Sequence, residues 1–189
     1  METVLIVSYY TKSISFLTDI LIEASISNIT TATNAGEARR LIVNNYYDLC
    51  IINTPLLDEF GENLALDIAV KGNTEVLLIV KSEIFDDISL KVEDYGVITI
   101  AKPISKSFLW NALKLAKATH NKLQNMQNEN KRLVQRIEDI RIIGRAKCIL
   151  ISHMSMTESE AHRYIEKQAM DMRQSRREIA EGILRSYEI

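Results

Sequence analysis

Three arginines surround the predicted start of a short helix near the end of the chain. Ser175 and Glu178 have the spacing of a capping box, in which the hydroxyl and the carboxylate satisfy free backbone amides of the first helical turn. The remaining amides and the positive end of the helix dipole attract anions at the same point. We therefore predict a phosphate-binding surface made by Arg173, Arg176 and Arg177.

A second capping box, formed by Thr157 and Glu160, precedes another short helix. When its residues are placed about 100° apart, an apolar stripe separates from a basic face. We predict that the stripe faces a small core and consists of Ala161, Ile165, Gln168, Ala169 and Met172. Arg163, Lys167 and the apolar Met170 lie together on the opposite side, and His162 flanks Arg163.

This segment resembles an ANTAR domain. The resemblance rests on four elements in the family's order, which are Ala146-Lys147, Thr157-Glu158, Ala169-Met170-Asp171 and Ser175-Arg176-Arg177-Glu178-Ile179-Ala180. ANTAR domains are three-helix modules that bind hairpins in nascent transcripts and prevent termination, so the resemblance implies an RNA-binding transcription antiterminator. It implies a domain at residues 137–189 that binds leader RNA hairpins through Arg145, Lys147, His162, Arg163, Lys167, Met170, Arg173, Arg176 and Arg177.

Several alternatives remain open at this point. Arg145 and Lys147 are also placed for a solvated helix surface, and Met170 for packing against a neighbouring helix or contact with an RNA base. The chain could instead be a DNA-binding response regulator, or a module that binds another protein. An enzyme is not indicated, because the sequence shows no nucleophile and base pair, metal-ligand spacing or phosphate-binding loop.

Short apolar runs dominate the first 120 residues. Because runs that are apolar at every position suit strands covered on both faces, they predict a parallel sheet with helices between the strands. The fold class is therefore α/β, with a five-stranded parallel sheet at residues 1–120. The strands are predicted at 4–7, 29–32, 48–52, 76–80 and 97–100.

The last of these strands runs into Ala101-Lys102-Pro103, which resembles the end of a response-regulator receiver domain with its flavodoxin-like fold. The resemblance implies a phosphorylation site whose other positions are altered here. Ser8 and Tyr9 stand in place of the acidic pair that holds Mg²⁺, Asn53 in place of the phosphorylated aspartate, and Val80 in place of a hydroxyl. Only Lys102 is retained, so the degenerate receiver site consists of Ser8, Tyr9, Asn53, Val80 and Lys102.

An acyl phosphate needs a carboxylate nucleophile, and Mg²⁺ needs charged oxygen ligands. We therefore predict a pseudoreceiver without phosphorylation on Asn53 and without a metal or other cofactor. Asp58 and Glu59 are predicted to be solvated loop charges. Fold alone does not choose between a small-molecule effector and a sensor protein as the partner of this domain.

The segment 104–143 contains neither glycine nor proline, which predicts one long connecting helix that ends before Gly144. Apolar residues with alternating spacings of three and four favour a coiled coil and a parallel homodimer. The alternative is that this stripe packs on neighbouring helices of the same chain. The predicted dimer seam is Leu123, Met126, Asn130, Leu133, Ile137 and Ile140.

The chain has 189 residues and a net charge of −2. Residues 1–120 carry a net −5 and residues 141–189 a net +2, so phosphate binding must depend on where the cations lie. No apolar run approaches the ~18 residues that a membrane-spanning helix needs, and we predict a cytoplasmic protein without a membrane partner. Cys50 and Cys148 are predicted to be buried thiols.

Overall fold

The computed structural model describes residues 2–72 and 74–187, and the chain divides into unit 1, residues 1–124, and unit 2, residues 125–189. Residues 1, 188 and 189, at the ends of the predicted domains, lie outside the described residues.

Unit 1 contains a five-stranded parallel sheet in the order β2-β1-β3-β4-β5. The strands are β1 (Thr3–Ser8), β2 (Asn28–Ala32), β3 (Leu49–Asn53), β4 (Glu75–Lys81) and β5 (Ile98–Lys102). The helices that follow them are α1 (Thr11–Glu23), α2 (Ala35–Asn44), α3 (Glu62–Ala69), α4 (Phe85–Val92) and α5 (Lys106–Met154). This confirms the predicted α/β fold with its five parallel strands.

Two apolar clusters cover the two faces of the sheet. Alternate strand residues such as Ile6, Ile51 and Ile79 pack with α1 and with the first turns of α5. Their neighbours, among them Ile52 and Val80, pack with α2, α3 and α4. Both faces are therefore buried, which explains why the strands are apolar at every position.

The acidic loop before α3 has a structural role that differs from the prediction. The Asp58 carboxylate accepts hydrogen bonds from the backbone N–H groups of Ala35 at 2.8 Å and Gly36 at 2.9 Å. These bonds, the one from Ala35 above all, hold the pKa of Asp58 below its usual range. Glu59 forms an ion pair with Arg39 at 2.9 Å. The prediction of merely solvated charges was wrong, because Asp58 caps the first turn of α2 and the Glu59 carboxylate accepts a hydrogen bond from Leu64 N in the first turn of α3 at 3.1 Å.

Unit 2 consists of the remainder of α5 with α6 (Glu158–Met172) and α7 (Arg176–Tyr187). The predicted core positions of α6 are confirmed for Ala161, Ile165 and Ala169, which are buried with residues of α5 and α7. Met172 was predicted in the same stripe but is 60% exposed. It is the last residue of α6, and the chain turns away from the core directly after it.

Helix α5 continues through Gly144 to Met154, beyond the end that the sequence predicted at residue 143. A glycine inside a helix costs only about 1 kcal/mol relative to alanine. Burial of Ala146 and Leu150 against α6 and α7 offsets that cost.

Cys148 is exposed, so the prediction of a buried thiol was wrong for it. It lies between Ala146 and Leu150 in sequence and therefore on the other side of α5. Cys50 is buried in the sheet, and burial raises the pKa of its thiol.

Across residues 2–72 and 74–187, no helix combines the length and the apolar character that crossing a membrane requires.

Asp48, just before β3, joins the start of the chain to α5. Its carboxylate accepts hydrogen bonds from the N–H groups of Glu2 and Thr3, and His120 Nε2 of α5 lies 3.4 Å from Asp48 Oδ1. One turn further along α5, the Gln124 amide donates to the Tyr46 hydroxyl at 3.2 Å. Burial alone would raise the pKa of Asp48, but the hydrogen bonds and the His120 side chain together lower it below its ordinary value.

We predict that Asp48→Asn destabilises the protein at pH 7 by about 1–3 kcal/mol, because the N–H groups of Glu2 and Thr3 lose a charged acceptor. The pKa of Asp48 is lower in the folded protein than in the unfolded chain, so the stabilisation is complete above the pKa of the unfolded chain. The stabilisation is lost as the pH falls through the pKa of Asp48 in the folded protein. Urea unfolding at pH 7 and pH 3 measures both effects. The exposed Asp19→Asn serves as control, and a constant difference between wild type and Asp48→Asn at the two pH values would contradict the assignment.

Candidate nucleic-acid interface

Two capping boxes determine where α6 and α7 begin. The Glu160 carboxylate accepts a hydrogen bond from Thr157 N at 2.8 Å, and Glu160 N donates to the Thr157 hydroxyl at 3.3 Å. Ser175 and Glu178 make the same pair of bonds at 2.7 and 3.2 Å. Both predicted boxes are confirmed. They place the basic residues of this region at defined positions along each helix.

Arg173 occupies the turn between α6 and α7 in the left-handed conformation, with φ of 53°. Its own N–H donates to Met170 O at 3.3 Å, and the next N–H, of Gln174, donates to Ala169 O at 3.0 Å. These bonds satisfy free carbonyls at the end of α6. The turn leaves the Arg173 side chain exposed.

A groove of about 670 Å³ lies among α5, α6 and α7 within unit 2. Its floor is apolar and includes Ile140, Ile143 and Ile165. Four of the predicted RNA-binding residues line this groove, namely Lys147, His162, Arg176 and Arg177. Three separate helices therefore contribute polar side chains to one concave surface, and the cations among them come from α5 and α7.

Carboxylates hold these four side chains in place. Lys147 pairs with Glu158 at 2.7 Å, which lowers the pKa of that carboxyl. Arg176 pairs with Glu166 at 2.9 Å, and His162 Nε2 lies 3.4 Å from the same carboxylate.

Arg177 Nη1 lies 2.9 Å from Asp139, and its Nε lies 2.8 Å from Glu181. Exposed pairs of this kind contribute little to stability, so a phosphate can replace the carboxylate at small cost.

The outer face of α6 carries a second group of predicted residues. Arg163 and Lys167 are exposed there, and Met170 is 72% exposed. Within residues 2–72 and 74–187, neither of these two cations has a carboxylate within ion-pair distance. Met170 and Arg176 line a shared cavity of about 590 Å³, which places Arg176 between the outer face and the groove.

The structure thus places seven of the nine predicted residues on two adjoining surfaces. Arg173 is exposed in the turn between α6 and α7 and lines neither the groove nor the cavity beside Met170. Arg145, also predicted, is exposed on α5. Sequence reasoning missed Arg136, which lines the groove, and Asp139, which holds Arg177. Their spacing from Ile143 and Lys147 along α5 places them on one face of a helix and could have revealed them.

The degenerate receiver site lies at the carboxyl ends of the strands. Asn53 is 2% exposed, and its amide donates to the buried Ser8 hydroxyl at 2.9 Å. Lys102 Nζ donates to the Thr54 carbonyl. Val80 lies apart from them, in the apolar cluster on the other face of the sheet, and Tyr9 is half exposed.

These residues do not fit the Mg²⁺ ion of a phosphorylated receiver. A hydroxyl, an amide and an ammonium group supply no negative charge for a hard cation. In the part of the chain that the structure describes, no cluster of three or more His, Cys, Asp or Glu side chains could hold a metal ion.

Comparison with known proteins finds relatives of both parts of the chain. Residues 131–184 match the model of the ANTAR domain family. The chain is 27% identical over 169 residues to transcriptional regulatory protein PdtaR of Mycobacterium tuberculosis, covering 89% of this chain and 82% of that one.

Solved structures with the same fold include the signal receiver domain of an HD domain-containing protein from Pseudomonas fluorescens. It has a TM-score of 0.59 and 19% identity, and the match covers 66% of this chain and 92% of that one. A response regulator receiver domain protein from Methanospirillum hungatei has a TM-score of 0.54 and 21% identity, over 68% and 98% of the two chains.

The chain therefore combines a receiver fold with a segment, residues 131–184, that matches the ANTAR domain family.

We predict that Arg173→Gly raises the free energy of unfolding by roughly 0.5–1 kcal/mol, because glycine adopts the left-handed conformation without a steric penalty. Urea unfolding measures the change. Gln174→Gly, in the same turn but without a positive φ, is the matched control and should destabilise. A loss of stability in Arg173→Gly would mean that its side chain makes stabilising contacts that outweigh the backbone strain.

Proposed function

We propose that the protein is an RNA-binding transcription antiterminator. Its ANTAR domain binds hairpins in nascent leader RNA and prevents intrinsic termination. Control does not use phosphorylation of an aspartate, because Asn53 carries an amide where a receiver has its nucleophile. The protein works in the cytoplasm, where transcripts are made.

The observation that carries this proposal is the groove of unit 2. Lys147, Arg176 and Arg177 lie at its edge above an apolar floor that includes Ile143 and Ile165. A hairpin loop offers phosphates to the cations and unpaired bases to the apolar floor and to the guanidinium planes. A double helix of DNA keeps its bases stacked and presents no such loop.

The carboxylates of the groove set the strength of binding. Glu158, Glu166 and Asp139 must be released from their cations before RNA phosphates take their places. This exchange favours a ligand that presents several phosphates with the right spacing over a single anion. It also makes affinity depend strongly on salt, since each phosphate contact releases counterions.

The outer face of α6 extends the same surface. Arg163 and Lys167 need no such release before they contact a phosphate backbone, and Met170 between them offers an apolar contact to a base. Arg176 joins this face to the groove through the cavity that it shares with Met170. One hairpin stem and its loop could therefore contact both surfaces.

The proposal includes a parallel homodimer through α5. The apolar seam residues Leu123, Met126, Leu133, Ile137 and Ile140 are between 42% and 70% exposed in the single chain. Their spacing is that of a coiled-coil seam, and Asn130 among them favours one register and two strands. A dimer presents two ANTAR domains, which suits a leader with paired hairpins.

Unit 1 would then receive the signal. A sensor protein that sequesters the pseudoreceiver, or a small-molecule effector bound to it, would control access to RNA. The carboxyl ends of the strands, where Asn53 and Lys102 lie, are the usual position for ligands of this fold.

We predict preferential binding to a two-hairpin leader RNA over a DNA duplex of the same sequence, with affinity falling between about 50 and 200 mM salt. Arg173→Ala combined with Arg176→Ala should weaken RNA binding roughly 10- to 100-fold, because each removes a charged contact. Fluorescence anisotropy measures both effects.

The control for that pair is Arg185→Ala, near the end of α7 and outside the groove. It should bind RNA as the wild type does. Equal affinity for RNA and DNA would favour a DNA-binding regulator. A folded double variant with unchanged RNA affinity would contradict the proposed surface, and absence of nucleic-acid binding would favour a protein partner.

We predict that Leu133→Asp combined with Ile137→Asp converts the dimer into a monomer, because each charge would be buried in the seam. Light scattering after size-exclusion chromatography measures the mass of the particle. Asn128→Asp, on the same helix but off the seam, should remain dimeric. A monomeric wild type at micromolar concentration would refute a constitutive dimer, and RNA added to the same sample tests whether RNA induces one.

A further inference from the structure

The carboxyl ends of β4 and β5 carry two neighbouring lysines. Lys81 and Lys102 are Cα partners in the register of these strands. A phosphorylatable receiver collects acidic side chains at this end of the sheet to bind a cation. Here the same position holds positive charge, which reverses the kind of ion that it attracts.

The register places the lysines on the same face of the sheet as Asn53. Asn53 pairs with Ile79, and Lys81 and Lys102 follow two residues after Ile79 and Ile100 in their strands. Since side chains alternate along a strand, Asn53, Lys81 and Lys102 point to the face of the sheet that α1 and α5 cover. Ile79 and Ile100 are buried in that cluster, which agrees with this assignment.

A cavity of about 350 Å³ opens at this point. Lys102 and Asn53 supply its basic and amide groups. Ser13 of α1 adds a hydroxyl group, and the rest of the lining is apolar and consists of Phe16, Leu17, Ile79, Pro103 and Ile104. A ligand of this cavity therefore needs a polar head and an apolar body.

Lys102 lacks a counter-charge. Its ammonium group donates one hydrogen bond to the Thr54 carbonyl, which leaves further donors. In the described part of the chain no carboxylate lies within ion-pair distance of it. Burial, and then repulsion by Lys81, lower the pKa of Lys102. A bound anion would relieve this penalty because it would compensate the buried charge.

Asn53 can complete the recognition of an anion. One hydrogen of its amide is donated to the Ser8 hydroxyl, and the amide group carries a second one. A carboxylate has two acceptor oxygens, so it can accept from Lys102 and Asn53 together. Inorganic phosphate fits less well, because one ammonium group balances only part of its charge and the apolar part of the lining offers it no donor.

We propose that this cavity binds a small organic monocarboxylate, with its carboxylate on Lys102 and Asn53 and its aliphatic or aromatic body against Phe16 and Leu17. The ligand is then an effector of the regulatory domain. The proposal rests on the proposed function only in that role, since the cavity and its charge are independent of RNA binding.

The test uses the full chain and measures ligand binding directly. Titration with acetate, butyrate and benzoate at constant ionic strength is followed by the amide signals of Asn53, Thr54 and Lys102 in ¹H–¹⁵N NMR spectra. We expect saturable shifts at these residues. Affinity should rise about three- to fourfold for each buried methylene, as apolar area is removed from water.

Lys102→Met should weaken butyrate binding about tenfold or more, because the charged donor is lost. Lys102→Arg keeps the charge and should retain measurable binding. Lys71→Met, a lysine at the opposite end of the sheet, is the matched control and should bind butyrate as the wild type does. Binding that persists unchanged in folded Lys102→Met would overturn the proposal.

Two further ligands separate charge from shape. Butyramide has the apolar body without the charge, and phosphate has the charge without the body. Weak binding of both supports the proposal. Equal binding of butyramide and butyrate, or tighter binding of phosphate, would overturn it, as would the absence of any saturable shift. RNA affinity does not enter this measurement, so its failure is distinguishable from failure of the antiterminator proposal.

Discussion

One continuous helix contributes to both hydrophobic cores of this protein, and the rest of the structure depends on it. Leu109 and Leu113 of α5 are buried against the sheet of unit 1, whereas Ala146 and Leu150 are buried in unit 2. The same helix carries the exposed apolar seam between these two anchored parts. A change that loosens α5 at one core therefore alters an element that the other core and the proposed dimer also use.

Much of the fold was predictable because its signals are local. Strands that are buried on both faces are apolar at every position, and the two capping boxes mark helix starts with side chains only three residues apart. The failures concern side chains whose partners lie far along the chain. Asp58 caps a helix more than twenty residues earlier in the sequence, and the exposure of Cys148 depends on which side of α5 the other helices cover.

The candidate site was likewise predictable only in its local features. Sequence patterns identified most of its cations, though not Arg136, since arginine and lysine are exposed by default and cluster visibly. They did not reveal that Asp139, Glu158 and Glu166 hold several of those cations. These pairs form because α5, α6 and α7 pack around one small core, and that packing is not visible in any single helix. In the proposed complex, RNA phosphates replace these carboxylates as the partners of the cations.

Single-round transcription through a leader with two hairpins and an intrinsic terminator tests the antiterminator account most directly. The account predicts that added protein increases read-through. The increase should be lost when Arg173 and Arg176 are both changed to alanine and when the upstream hairpins are removed from the template. Read-through that stays constant while the protein is bound to the leader RNA would contradict antitermination and leave only RNA binding.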